Sequence, residues 1–298
     1  MAGSASVTSH DVKGALVSGK PAQSQPYPGE TGEMRPRPQD EMRDYAGREL
    51  LKGKRALVTG GDSGIGRAVA VGFAKEGADV AITYLQEESD AAHTKKLVEQ
   101  EGRRCLAIGG DMYDEEHTRR SVRRVAEEFG RIDVLVVHHG TQKPVEDIRE
   151  ITTEQLERTF RVNVYSVVWT VQETLDHVPD GGSIVITGSI NGLRGNKTLI
   201  DYAASKAAAM NLAQSMAQVL LDRGIRVNCV APGPVWTPLI PGTFDAERVE
   251  GFGEQSPMGR AAEPDEIAPS YIFFASNRLS SYYTGQNLVP AGGEVHPG

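Results

Sequence analysis

The chain has 298 residues, of which 39% are hydrophobic and 24% charged, with a formal net charge of −8. That length is enough to bury a sizeable core in one or two domains, and the acidic balance disfavours a nonspecific nucleic-acid or anionic-membrane binder. No early stretch is apolar enough for a signal peptide and no run approaches a membrane span, so the cytoplasm is the expected location.

Residues 1–48 are polar, glycine-containing and punctuated by Pro21, Pro26, Pro28, Pro36 and Pro38. They have too little periodicity to build a core of their own. Two readings stay open: a disordered tail, or an arm that packs on the body or on a neighbouring subunit. From residue 49 to 298, apolar strands and helices alternate. Strands are predicted at 54–60, 79–84, 104–110, 133–138, 182–188, 226–231 and 287–290. Helices are predicted after the first strand and at 88–101, 114–129, 153–176, 201–222 and 264–276. This alternation predicts one α/β domain with a doubly wound parallel sheet and helices on both faces. Cys105 and Cys229 fall within predicted strands and read as reduced packing residues.

The first strand runs into Gly60-Gly61-Asp62-Ser63-Gly64-Ile65-Gly66 and then an amphipathic helix. Strand, glycine turn and helix are the parts that seat a pyrophosphate, because the backbone can approach closely and the helix N-terminus offers free N–H groups. The spacing is Gly-x-x-x-Gly-x-Gly, not the commoner Gly-x-Gly-x-x-Gly. Far downstream, Tyr202 and Lys206 are four residues apart and share one face of a predicted helix. A fixed positive charge beside a phenol lowers its pKa from about 10 towards the working range. Ser189 closes the fifth predicted strand, where open α/β sheets bind ligands, and Asn163 lies on the long helix before it.

With these motifs, and with Gly110-Asp111 and Pro232-Gly233-Pro234-Val235-Trp236-Thr237, the chain from about residue 50 onward resembles the classical short-chain dehydrogenase/reductase family. Its opening turn and Pro/Gly-rich leader are also similar to the subgroup labelled glucose/ribitol-dehydrogenase-like or general-stress oxidoreductases, in which part of the leader, about Gln25 to Asp44, would pack as an extended arm. The resemblance implies a Rossmann-type fold, a homotetramer packed through the helices at 153–176 and 201–222 and the C-terminal region, and a small carbonyl or alcohol substrate. It implies Asn163, Ser189, Tyr202 and Lys206 as the catalytic set, with Tyr202 as general acid/base. Gly60, Asp62, Ser63, Gly64, Ile65, Gly66, Asp111, Met112, Gly140, Pro232, Gly233, Val235 and Thr237 would line the cofactor, together with Tyr202 and Lys206.

The end of the second strand is where a carboxylate would bind a ribose 2′-hydroxyl and reject a 2′-phosphate. Tyr84 and Leu85 stand there, with Glu87 and Glu88 just beyond. The balance falls slightly to NADP(H) over NAD(H). After the fourth strand the family usually has Asn-Asn-Ala-Gly, whereas this chain reads Val137-His138-His139-Gly140. Neighbours on a strand point to opposite faces, so the histidines are a poor chelate and no metal site is expected. They read as structural replacements beside the cofactor, or as one histidine tuning the site.

Gln142, Ile190, Asn191, Asn196, Trp236, Leu239 and Ile240, with Phe244 and Phe252, are the candidate substrate pocket, and the segment from Trp236 to about Pro257 reads as a mobile lid. The expected activity is hydride transfer between a nicotinamide and the carbonyl or alcohol carbon of a small aldehyde, ketone or secondary alcohol. A redox-neutral epimerase or dehydratase, and a catalytically decayed nucleotide-binding protein, are the alternatives.

Overall fold

The computed structural model describes residues 19–295, so the start of the predicted arm lies outside the described residues. Seven strands form a parallel sheet: β1 (Arg55–Thr59), β2 (Asp79–Tyr84), β3 (Cys105–Gly109), β4 (Val134–Val137), β5 (Ser183–Thr187), β6 (Arg226–Val230) and β7 (Asn287–Leu288). Their order is β3-β2-β1-β4-β5-β6-β7, with every pairing parallel. The order reverses between β1 and β4. That crevice at the carboxyl ends of the strands is where open α/β sheets hold ligands.

The strands are apolar runs because both faces are covered. Ala56, Val58, Val134, Val136 and Val185 point to one core, shared with α1 (Gly64–Lys75), α2 (Glu88–Gln100) and α10 (Pro264–Ala275). Leu57, Leu135, Val137, Ile184 and Ile186 point to the other, shared with α3 (Glu115–Phe129), α5 (Ser166–Thr174) and α7 (Ile200–Val219). The long helix predicted at 153–176 is interrupted. It consists of α4 (Thr153–Phe160), a π-helical turn at Arg161–Tyr165, and α5. Asn163 sits inside that turn. Shorter helices α6 (Ile190–Arg194), α8 (Leu239–Thr243), α9 (Ala246–Val249) and α11 (Asn277–Ser280) complete the chain. No helix among the described residues is long and apolar enough to cross a membrane.

Residues 19–48 run along the body as a strap. Lys20 pairs with Glu263 at 3.0 Å, Gln39 N donates to Glu263 Oε2 at 2.9 Å, and Met42 N donates to Asp265 Oδ1 at 3.0 Å. The acidic start of α10 thus receives the strap. Met34 and Met42 are buried completely or nearly so.

Candidate active site

The carboxyl ends of the central strands open into a cleft of about 470 Å³. At one end the turn between β1 and α1 sets Gly60, Asp62, Ser63, Gly64 and Ile65 on its wall. Gly60 and Gly64 have φ of +67° and +50°. A Cβ at Gly60 would lie 3.0 Å from His139 Cα, and one at Gly64 would lie 2.8 Å from Thr237 Cγ2. Both positions therefore require glycine. Ser63, the N-cap of α1, makes no side-chain capping bond. The positive end of the helix is presented at this wall, with Gly64 N donating to Asp40 Oδ2 at 3.1 Å. Gly66 does not line the cleft. A Cβ there would fall 1.8 Å from Gly60 O, so this glycine lets α1 pack on the turn instead of touching a ligand.

Tyr84, Leu85, Asp111 and Met112 continue the wall. Burial, helped by the charge of Glu87, pushes the Asp62 carboxyl up to about 7. Asp111 accepts from Tyr113 N at 2.9 Å and from Arg158 Nη2 at 2.9 Å. Arg158 also lines the cleft, and nothing in its sequence setting marks it.

At the other end stand Ser189, Tyr202 and Lys206. Ser189 caps α6, its Oγ accepting from Asn191 N at 3.1 Å. Tyr202 is half-buried at the cleft wall. Desolvation holds its phenol above the ordinary range, while a hydrogen bond with Ser189 acts in the opposite direction. Lys206 is buried, and burial lowers it to about 8. Its Nζ donates to Thr187 O at 2.9 Å and lies 5.8 Å from the Tyr202 ring centroid. The lysine charge therefore does not bring the phenol below its usual range, against the expectation from the i, i+4 spacing. Asn163 lies behind the wall. Its Nδ2 donates to Thr141 O at 2.9 Å and Ser205 Oγ at 3.0 Å, and Thr141 N donates to its Oδ1 at 2.8 Å. A Cβ on Gly140 would be 3.3 Å from Asn163 Oδ1 and 3.4 Å from Lys206 Nζ, so a small residue there keeps the two close.

His138 and His139 both line the cleft and both brace it. His138 Nδ1 is 3.1 Å from Thr187 Oγ1, which is 2.8 Å from the Tyr271 hydroxyl. His139 Nδ1 is 2.7 Å from Thr59 Oγ1, and its Nε2 is 2.6 Å from Ser166 Oγ. Burial, then the Lys206 charge, lowers both imidazoles to about 3, so they are neutral. A neutral imidazole has one donor and one acceptor, which hydroxyls can satisfy in either tautomer.

Pro232, Gly233, Val235 and Thr237 line the cleft, as do Gln142, Ile190, Asn191, Asn196, Leu239, Ile240, Phe244 and Phe252. Trp236 does not belong with them. It is fully buried, packs with Met34, Ile240 and Val249, and donates through Nε1 to Pro36 O at 2.8 Å. An indole N–H taken from water needs an acceptor, and the strap supplies it. The segment read as a mobile lid is tied down in the same way: Gln25 N donates to Pro241 O at 2.7 Å and Gly251 N to Lys20 O at 2.9 Å.

A family model described as enoyl-(acyl carrier protein) reductase matches residues 60–294. General stress protein 39 of Bacillus subtilis (strain 168) is 52% identical over 274 residues, covering 92% of this chain and 96% of its own length. The chain belongs to the classical short-chain dehydrogenase/reductase family. Another relative, the chloroplastic NADPH-dependent aldehyde reductase 1 of Arabidopsis thaliana, is 46% identical, over 90% of this chain and 95% of its own. A short-chain dehydrogenase of Burkholderia cenocepacia J2315 solved in complex with NADP is 37% identical with a TM-score of 0.75, over 82% of this chain and 98% of that one. One from Mycobacterium paratuberculosis bound to NAD is 30% identical with a TM-score of 0.75, over the same shares.

As a short-chain dehydrogenase/reductase, the protein is an NAD(P)-dependent oxidoreductase of a small molecule. The glycine cradle, the helix N-terminus and the proton-bearing set beyond it fit a dinucleotide laid along the cleft. Sequence reasoning missed the support beneath the cradle. Arg67, 1% exposed, donates to Asp40 Oδ2 at 3.0 Å, to Asp90 Oδ1 at 2.7 Å and to Asp62 O at 3.0 Å. The signal available was a single arginine, Arg67, in the first turn of a helix that is otherwise apolar up to Lys75.

Proposed function

We propose that this chain reduces the carbonyl of a small aldehyde or ketone with NADP(H), Tyr202 donating the proton. The observation that carries the reading is Tyr202 itself. Its phenol, held above the ordinary range by burial, stands with Ser189 and Lys206 at one end of a cleft whose other end is a glycine cradle. When bound, the nicotinamide supplies the hydride. Tyr202 and Ser189 hold the substrate oxygen, and the phenol proton moves to that oxygen as negative charge develops, where a fixed donor is worth most. Lys206 binds the nicotinamide ribose hydroxyls, and Asn163 is a positioning residue that fixes Thr141 and Ser205 behind Lys206. Gly60, Gly64 and Ile65 hold the pyrophosphate, and Asp111 and Met112 hold the adenine.

NADP(H) is preferred because Tyr84, not a carboxylate, ends β2. Burial raises the Asp62 carboxyl to about 7, which weakens its repulsion of a 2′-phosphate. The NADPH-dependent relative supports the same choice. The apolar side chains of Leu239, Ile240, Phe244 and Phe252 favour a substrate with a hydrophobic portion. A homotetramer is the proposed assembly, with the interrupted helix that carries Leu156 and Tyr165 as one contact face. Calorimetric titration with NADPH and NADH, followed by a carbonyl panel read as NADPH oxidation, tests the proposal. Tighter NADPH binding and turnover of aldehydes or ketones are expected. Tighter NADH binding, or turnover without a change in cofactor absorbance, overturns it.

A further inference from the structure

The strap and the cleft meet at one point. Tyr27 and Pro28 line the same cleft as Ser63, Gly64, Tyr84 and Glu87. The next residue, Gly29, has φ +88°, and a Cβ there would lie 2.4 Å from Pro238 O. Pro238 in turn is 3.6 Å, through its Cδ, from where a Cβ on Gly64 would be. Strap, substrate-side segment and glycine turn therefore converge on Pro238. On the far side of the turn Thr31 N donates to Asp90 Oδ2 at 2.9 Å, and Asp90 is one of the two carboxylates on Arg67. The other is Asp40, also from the strap, which accepts from Gly64 N. The strap is thus anchored on both sides of Tyr27, by Gln25 N donating to Pro241 O at 2.7 Å and by Thr31 N donating to Asp90 Oδ2. Tyr27 is 39% exposed there, facing a groove and not a core.

We propose that the N-terminal strap is part of the cofactor site, with Tyr27 and Pro28 forming the outer wall against the pyrophosphate and adenosine ribose. This rests on the reading that the dinucleotide lies across the glycine turn. The phenol offers a donor to a phosphate or ribose oxygen and an aromatic face to the sugar. A strap that merely stiffens the fold would act on both halves of the cofactor equally, or through stability alone. A wall at the pyrophosphate acts on one half.

The test is calorimetric titration of the full chain and of Tyr27→Ala with ADP-ribose, which carries adenosine and pyrophosphate, and with reduced nicotinamide mononucleotide. Tyr27→Ala should weaken ADP-ribose about tenfold, a loss of about 1.4 kcal/mol, with mononucleotide binding and melting temperature unchanged. Gly29→Ala, which drives the strap away from Pro238, should weaken ADP-ribose in the same direction. ADP-ribose affinity within twofold of the unmodified protein in both variants overturns the proposal, as does an equal loss for the two probes. If the unmodified protein binds neither probe, the dinucleotide reading fails first and the proposal falls with it.

Discussion

Lys206 Nζ donates to the Thr187 carbonyl at 2.9 Å and stands 5.8 Å from the Tyr202 ring centroid. The lysine is thus anchored to the end of β5, and the phenol is governed by its own burial and by Ser189. Replacing Tyr202 with Phe keeps the ring and removes the proton. Turnover should fall by about 10²–10⁴-fold, the usual worth of a positioned acid, while NADPH affinity stays within about twofold. Lys206→Met should lose both turnover and affinity for reduced nicotinamide mononucleotide. Steady-state rates and titration on the same preparations check this, and a fully active Tyr202→Phe enzyme would remove the tyrosine from the chemistry.

The raised phenol pKa gives the two reaction directions opposite pH profiles. Reduction needs Tyr202 protonated, which burial secures through neutral pH, so its kcat/KM should be flat there and fall only on the alkaline side. Oxidation needs the phenolate, so its kcat at saturating cofactor should rise with pH. Lys206, lowered to about 8, loses its charge over the same alkaline range, so ribose binding should weaken there in both directions. Initial rates in both directions from pH 6 to 10 decide it. Parallel profiles would mean that the titrating group is not the shared acid/base.

The Val137-His138-His139-Gly140 departure carries a stability prediction. His139 joins Thr59 at the end of β1 to Ser166 beyond the π-helical turn, so His139→Ala leaves two buried hydroxyls without that partner and should cost about 1–3 kcal/mol. Both histidines have folded pKa values of about 3 against an ordinary 6.5. The unfolded chain therefore binds more protons between those values, and stability is lost as pH falls below 6.5, by about 2 kcal/mol per histidine at pH 5. Asp40 and Asp62, raised to about 6 and about 7, act oppositely: the folded state takes up their protons first, which favours folding as pH falls through those values. Partial cancellation should leave the unmodified protein with a shallow acid profile. His139→Asn removes one titrating site, so it should lose less stability than the unmodified protein between pH 7 and 5 in urea melts. An equal loss in both would remove His139 from the acid response.

The sheet was legible because a parallel strand buried on both faces must be an uninterrupted apolar run, and Ala56-Leu57-Val58 or Ile184-Val185-Ile186 has no other plausible home. The glycine turn was legible because Gly60 and Gly64 occupy backbone space that other residues enter at a cost. Trp236 was misread for a physical reason. It follows the Pro-Gly-Pro-Val that does line the cleft, yet its indole is satisfied by Pro36, a partner no local pattern reveals. The π-helical turn holding Asn163 was hidden too, since a continuous helical pattern gives no sign of one inserted residue. The strap was the hardest to read. Its contacts are scattered and distant in sequence, as where Thr31 N and Met42 N each donate to a far carboxylate, and a polar segment held in that way carries no periodicity.

Those carboxylates make Arg67 the centre of a last prediction. It is 1% exposed between Asp40 and Asp90, both almost fully buried. Removing one partner of a buried ionic group leaves uncompensated charge, at a cost of about 3–5 kcal/mol. Arg67→Met takes from the Asp40 carboxyl the charge that lowers it against its own desolvation, so its pKa must rise further. A carboxyl with a raised folded pKa contributes stability below its unfolded value and loses it as pH rises through the folded one. The variant should therefore be severely destabilised at pH 8 and recover part of the loss at pH 5, where the Asp40 carboxyl protonates. Asp40→Asn should cost far less, because an amide oxygen can still accept from Gly64 N and Arg67 and brings no buried charge. Urea unfolding of both variants at pH 5, 6, 7 and 8 measures this. A pH-independent loss in Arg67→Met would mean that the guanidinium acts through packing and not through charge.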